Sequence, residues 1–185
     1  MELQTPSPTH QCPSCGVEVI PGSDRCENCG LDLQFLDLEP GRPTSLLHAG
    51  ILYDRIAKLH PPAPVTVSPN ESIEAVVKKM NHHRHGAVCV VDTDGKLIGI
   101  FTERDALKRV AAQRVNISVT PISEVMTRDP LTMQIEDKLG AILNKMSDAG
   151  FRHVPILDGD QLVGITTVRG VLNYITEKRL TKSTL

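Results

Sequence analysis

Four of the five cysteines lie close together, in the block CPSCGVEVIPGSDRCENCG, as Cys12, Cys15, Cys26 and Cys29. The spacing C-x2-C-x10-C-x2-C presents two close pairs of sulfurs, a donor set suited to one four-coordinate metal ion. A two-residue gap lets both sulfurs of a pair reach the ion while nearby backbone N–H groups hydrogen-bond them. Gly16 and Gly30 follow the pairs and permit the left-handed turn that a metal knuckle needs. Between the pairs, VEVI and then PG read as strand and turn, a hairpin that brings the pairs together.

This block resembles a zinc ribbon, which implies structural zinc held by Cys12, Cys15, Cys26 and Cys29 and a role as a docking module. A closed set of four cysteines has no open coordination position, which argues against hydrolytic zinc chemistry. Iron in the same ligands is one rival, weakened because no aromatic residue lies between Cys12 and Cys29. Two disulfides are another, disfavoured in a reducing compartment. Cys89 stands apart in the apolar run AVCVV and reads as a buried core thiol.

A second candidate chemistry is written twice. GIFTERD (99–105) and GITTVRG (164–170) share a frame in which Thr102 matches Thr167, but Asp105 faces Gly170. On its own, T-x-x-D is a helix start: Thr102 caps, and Asp105 near the third helical position completes a capping box. An acid there also suits the helix dipole. The ligand-binding reading adds to this. Unpaired N–H groups at a helix start, with the Thr102 hydroxyl beside them, suit a phosphate. Asp105 repels a phosphate but can accept both hydroxyls of a ribose. Gly170 can hold no ribose and weakens its helix start. From these residues alone the plain helix cap is favoured; on the ligand-binding reading the asymmetry leaves one competent site built on Asp105, and a second that is weak, vacant or differently used.

The elements that must position these residues are themselves repeated. PVTVSPNESIEAVVKKM (64–80) matches PLTMQIEDKLGAILNKM (130–146) at an offset of 66, which becomes 65 after a one-residue difference in a turn. Self-similarity of this kind predicts one supersecondary unit used twice. In the first copy PVTV reads as a strand, and Ile73, Val76, Val77 and Met80 mark an amphipathic helix. GAVCVVD is an apolar strand, DTDG a turn and KLIGIF a strand. A helix from Thr102 follows, with Ala106, Leu107, Val110 and Ala111 as its apolar face. The second copy supplies Leu139, Ile142, Leu143 and Met146, then HVPILD and QLVGIT, then a helix with Val168, Val171, Leu172 and Ile175. Each copy is β-α-β-β-α, too small to bury much core alone, so the two are expected to pack sheet to sheet.

A doubled β-α-β-β-α unit carrying G-h-x-T-x-x-D after its third strand, with RDPLTM, RHVPILD and EVMT, resembles tandem CBS domains (the Bateman module) over about residues 50–180. The resemblance implies an α/β fold of two paired CBS repeats and a non-catalytic regulatory module. It also implies a homodimer and an adenine nucleotide (AMP, ADP or ATP) bound between the repeats. By the same resemblance Thr102 takes the phosphate side and Asp105 the ribose. Thr66, Val67, His85, Gly86 and Ala87 frame the base, and Arg152 and His153 reach a phosphate held by the first copy. Arg104 adds phosphate charge or points to solvent, and Thr167 keeps a phosphate corner in the second copy. The family is broad enough for S-adenosylmethionine or a cyclic dinucleotide to be the ligand instead. The HHRH run at 82–85 reads as a solvated helix end, since adjacent histidines point in different directions.

The expected organisation is a disordered tail (1–9), a zinc ribbon (10–34), a linker and helix (35–60), CBS repeat 1 (61–120) and CBS repeat 2 (121–180). LDLQF adds a possible strand, and LLHAGILYDRIAKLH (46–60) a helix ended by Pro61–Pro62. Residues 112–124 bridge the repeats. Composition bounds the rest. Hydrophobic content of 40% and charged content of 23% fit a globular protein. No apolar run approaches the ~18 residues of a membrane span, and the start lacks a secretory pattern, so a cytoplasmic protein is expected. Residues 1–40 carry seven acids against Arg25, net −6, while residues 41–185 carry net +4. With 3% aromatic residues to stack on bases, the acidic end argues against a regulator that contacts nucleic acid through the ribbon. No nucleophile–base constellation, P-loop or open metal site is visible, so no enzyme is expected, and the regulated partner protein is not legible.

Overall fold

A computed structural model describes residues 10–12, 15–19, 23–28, 30, 33 and 53–182. Cys29, the expected tail, the LDLQF strand apart from Leu33, and residues 46–52 of the expected helix lie outside them. The chain divides into two units. One comprises Met1–Leu59, Glu136–Arg152 and Val168–Leu185, and the other His60–Ile135 and His153–Thr167.

The second of these units holds two sheets, one from each copy. In the first, β3 (Thr66–Val67) pairs parallel with β4 (Ala87–Val91), which pairs antiparallel with β5 (Leu97–Thr102) and so to β6 (Thr127–Arg128). In the second, β7 (Met133–Gln134) pairs parallel with β8 (His153–Asp158) and β8 antiparallel with β9 (Gln161–Thr167). Ala87, Cys89 and Ile100 of the first sheet pack with Ile165 of the second, with Leu97 and Leu162 at the margin. The expected sheet-to-sheet contact is therefore present. Helix α1 (Ile73–His83) buries Ile73, Val76 and Met80 on the other face of the first sheet, in a core with Val88, Val90 and Phe101. Ser72 starts it, its hydroxyl accepting from the Ala75 amide at 3.3 Å.

Ile122 of the bridging stretch, and Val125 and Met126 just after it, also belong to that core. Gly99 explains part of the close fit. A Cβ there would stand 2.4 Å from Met126 Sδ, so glycine lets that side chain cross β5 without shifting. At Gly164 the second copy does the same with Pro61, whose Cβ would be 2.7 Å away, while Ile165 donates its amide to the Pro62 carbonyl. The repeat thus extends further back than PVTV: residues 54–62 recur as 120–128. Each segment docks on the copy it does not precede. Ile122 donates to Glu71 O and Ile73 to Thr120 O in the first copy, as Ile56 donates to Asp137 O and Leu139 to Asp54 O in the second.

This exchange corrects the expected helix over 46–60. Among the described residues Tyr53 is helical, Asp54–Arg55 are not, and a 3-10 helix follows at Ile56–Leu59. Asp54 and Arg55 are taken up by pairing with Leu139 and Lys138, and that tertiary pairing outweighs helix propensity. The other unit also holds the second copy's helices, α3 (Leu139–Ala149) and α4 (Val168–Lys182). Leu139 and Ile142 of α3 and Val171 and Ile175 of α4 are buried.

A second correction concerns the helices that follow β5 and β9. After α2 (Glu103–Asp105) the chain winds as a π-helix over Ala106–Ala111, whose wider turns shift the phase of the face. Val110 is buried and Ala106 packs beside it, but Ala111 is exposed and Leu107 is 70% exposed. The equivalent Leu172 on α4 is 54% exposed, so both leucines assigned to a buried face point outward.

Candidate functional site

The capping reading of TERD is realised in full. Thr102 Oγ1 accepts from the Asp105 amide at 3.3 Å, and Asp105 Oδ2 accepts from the Thr102 amide at 3.0 Å and its hydroxyl at 2.7 Å. The other carboxylate oxygen, Oδ1, is held loosely. It faces the Thr127 hydroxyl and the Arg109 Nε, each at 3.5 Å. Two contacts at that length leave an acceptor that a better-placed donor can capture. Thr127 and Arg109 were not foreseen. Arg109 was legible as the i+4 partner of Asp105, whereas Thr127 arrives on β6 from the far side of the bridge.

The remaining predicted residues lie on several elements. Thr66 and Val67 lie on β3 opposite Cys89 and Val90. Val67 points into the core, so only its backbone can frame a base. His85, Gly86 and Ala87 enter β4. The Gly86 carbonyl accepts from the Glu103 amide at 3.1 Å, fixing the strand's start against the helix start. A Cβ at Gly86 would lie 3.1 Å from His153 Nε2 and 3.4 Å from Glu103 Cδ. His153, a second-copy residue, therefore stands beside the first copy's strand entry, with an unforeseen carboxylate. Arg104 is exposed in the first turn. Arg152 is exposed and belongs to the other unit, its carbonyl accepting from Val168 at 3.2 Å. Thr167 ends β9 opposite His153, the register by which Thr102 ends β5 opposite Ala87.

The histidine run is a helix end. His82 and His83 are exposed with their rings 5.0 Å apart edge to face, and Arg84 closes α1 in the left-handed conformation. Cys89 is fully buried, and burial pushes its thiol up to about 12, which suppresses thiolate chemistry.

In the cysteine block, β1 (His10–Gln11) pairs with β2 (Glu18–Val19), so the first cysteine pair sits inside a hairpin. Gly16 donates to the Cys12 carbonyl at 2.8 Å and Gly30 to the Cys26 carbonyl at 2.7 Å, with φ of 75° and 72°. The two turns are alike, as the two expected knuckles require. The Sγ atoms of Cys12, Cys15 and Cys26 lie within 4.8 Å of one another, and those of Cys15 and Cys26 are 3.6 Å apart. A tetrahedral ion with Zn–S bonds of ~2.3 Å would separate sulfurs by roughly 3.8 Å, so these three fit one ion. Cys12 and Cys26 are buried with Leu33, against Val19.

Comparison with known proteins agrees with this architecture. The family model described as CBS domain matches residues 57–112 and 122–177. A CBS domain-containing protein of Arabidopsis thaliana is 31% identical over 104 residues, 56% of this chain and 19% of that protein. The chain thus spans a small part of that relative. Among solved structures, a CBS domain pair in complex with 5'-methylthioadenosine and S-adenosyl-L-methionine is 28% identical. It has a TM-score of 0.61 and covers 68% of this chain and 98% of its own. A CBS domain protein of Pyrobaculum aerophilum complexed with AMP shares the fold at 23% identity. Its TM-score is 0.60, with 67% of this chain and 99% of that one covered. Among the described residues no helix is long and apolar enough to cross a membrane. Two family matches on two β-α-β-β-α copies, covering more than half the sequence, place this chain in the CBS-domain family as a tandem pair.

Proposed function

We propose that this CBS pair is a non-catalytic regulatory module that binds an adenine nucleotide of the AMP, ADP or ATP class. The site is mainly that of Asp105, and the protein acts as a cytoplasmic homodimer that signals to a partner protein. The observation that carries the reading is the state of Asp105. One carboxylate oxygen is fixed by Thr102 and the other is held only by long contacts. A ribose diol can replace those contacts without dismantling the helix start. Gly86, Ala87 and the backbone of Thr66–Val67 would frame the base, with Thr102, Arg104 and His153 on the phosphate side. In the second copy Gly170 offers no such group, and Thr167 keeps only a phosphate corner. Structural zinc would be held by Cys12, Cys15, Cys26 and Cys29, stabilising the ribbon rather than reacting. A ligand regulates such a pair only by its differential affinity for two states.

A second reading keeps the adenosine and changes the tail. The Glu103 carboxyl group lies close to the Gly86 entry, a neighbourhood that suits a ligand with few negative charges. The relative solved with 5'-methylthioadenosine and S-adenosyl-L-methionine makes this alternative concrete. Thermal shift with AMP, ADP, ATP and S-adenosylmethionine, with Asp105→Ala as control, tests both. A shift by the nucleotides that the substitution abolishes supports the first reading, and a shift by S-adenosylmethionine alone supports the second. No shift by any of the four, or a full shift in Asp105→Ala, contradicts the Asp105 site.

A further inference from the structure

We propose that metal occupancy of the cysteine knuckles is coupled to the second repeat's helices through a strap made of Tyr53, Asp54 and Arg55. The inference rests on reading the cysteine block as a metal site. The strap begins one residue from a proposed ligand. The Gln11 carbonyl, next to Cys12, accepts a hydrogen bond from the Tyr53 hydroxyl at 3.2 Å. Cys12 itself donates its amide to Val17 O at 2.8 Å, so Gln11 leads directly into the hydrogen-bonded first knuckle. The Tyr53 ring in turn carries the Lys138 ammonium 5.2 Å from its centroid, and Lys138 holds the N-cap position of α3.

The next two residues fasten the strap to both helices. The Asp54 carbonyl accepts from the Leu139 amide at 2.9 Å, the first residue of α3. Its carboxylate accepts from the Tyr174 hydroxyl of α4 at 2.6 Å and pairs with Lys58. Arg55 pairs with Glu136 and bridges to Lys138. The first repeat has the same backbone clamp but not the fastening. At the position of Tyr53 it has Val119, which is 73% exposed and has no polar group to offer a knuckle. At the position of Asp54 it has Thr120, which carries no carboxylate. Only the second repeat's clamp is tied to the cysteine block among the described residues.

A small cysteine site loses its cross-link when the metal leaves, because metal binding and local folding are one equilibrium. The Gln11 acceptor is then no longer fixed, and the clamp on Leu139 opens at a lower free energy. Coupling of this kind is reciprocal, so order in the second repeat also favours metal retention.

Hydrogen exchange on the full-length chain tests the proposal. The chain is compared zinc-loaded and stripped by a chelator under reducing conditions, with metal stoichiometry measured separately. Stripping is expected to speed exchange at the Leu139 amide about fivefold, the worth of one ordinary hydrogen bond, and to leave the equivalent Ile73 amide unchanged. Tyr53→Phe keeps the ring over Lys138 and removes the bond to Gln11. It should bind the same zinc and lose the response at Leu139. Equal responses at Leu139 and Ile73, no response at either, or a full response in Tyr53→Phe overturn the coupling while leaving the metal site intact. A chain that takes up no zinc overturns both.

Discussion

The two copies share an apolar scaffold and differ in the groups placed on it. Ile73 and Leu139 begin matched helices, and both are fully buried. Val88 and Val154 are likewise buried in matched central strands. Gly99 and Gly164 each admit a crossing segment. Against that sameness stand Asp105 facing Gly170, Ser72 facing Lys138, and Val119 and Thr120 facing Tyr53 and Asp54. The lesson is a division of labour within a duplication. Burial holds the fold constant, while polar positions outside the core assign the Asp105 corner to one copy and the attachment to the cysteine block to the other.

The shared scaffold is the first thing to try to break. Ile73→Ala and Leu139→Ala should each cost about 3 kcal/mol, read from denaturant midpoints. A cost below about 1 kcal/mol in one of them would mean that its copy is not packed as its twin is. Next come the two glycines. Gly164→Ala sets a methyl against the Pro61 ring, which cannot turn aside, whereas Gly99→Ala meets the flexible Met126 side chain. The first should cost about 2–3 kcal/mol and the second about 1 kcal/mol. Equal costs would show that the Pro61 crossing yields as readily as Met126.

Smaller effects sharpen the differences. Ser72→Ala should cost about 1 kcal/mol because it removes the cap of α1. Lys138→Ala removes no cap, since Lys138 makes no capping hydrogen bond, and should cost less in the same measurement. The smallest effect is in acid. Burial raises the Asp54 carboxyl, but the hydrogen bonds from Lys58 and Tyr174, with the charges of Lys58 and Lys178, outweigh it and hold it below its usual 3.8. A carboxyl held low stabilises the fold above its unfolded value and loses that contribution as pH falls through its folded value. Protection at Leu139 should therefore fall below about pH 4 and become insensitive there in Asp54→Asn. The first repeat's acid response through Glu71, also held low through Lys79 and Ser68 against the effect of burial, should persist in that variant.

How much of this was legible follows from the kind of signal. The β-α-β-β-α order was readable because burial imposes period 2 on strands and 3.6 on helices, as with Ile73, Val76 and Met80. The capping box was readable because it is local. The exchange of 54–62 and 120–128 was not, since its backbone hydrogen bonds leave no mark on side-chain pattern and Arg55–Leu59 looks like ordinary helix. Leu107 and Leu172 were both misassigned, one in a π-helix and the other in an α-helix, because apolar spacing alone does not show which leucine of a stripe meets the core. The corner around Asp105 was half legible. Thr102 and Arg109 lie within one turn of it, whereas Thr127 and the His153 beside Gly86 come from sequence too distant for spacing to predict.

The central claim is that the duplicated fold carries a single working adenosine site. Calorimetric titration of the full chain with AMP and with S-adenosylmethionine tests it most directly, repeated on Asp105→Asn, which keeps the side chain's shape. The account predicts one site per chain for the better ligand, and a loss of at least about tenfold in affinity in the variant, the worth of a charge-assisted hydrogen bond. Two equal sites per chain, or unchanged binding in Asp105→Asn, would contradict it.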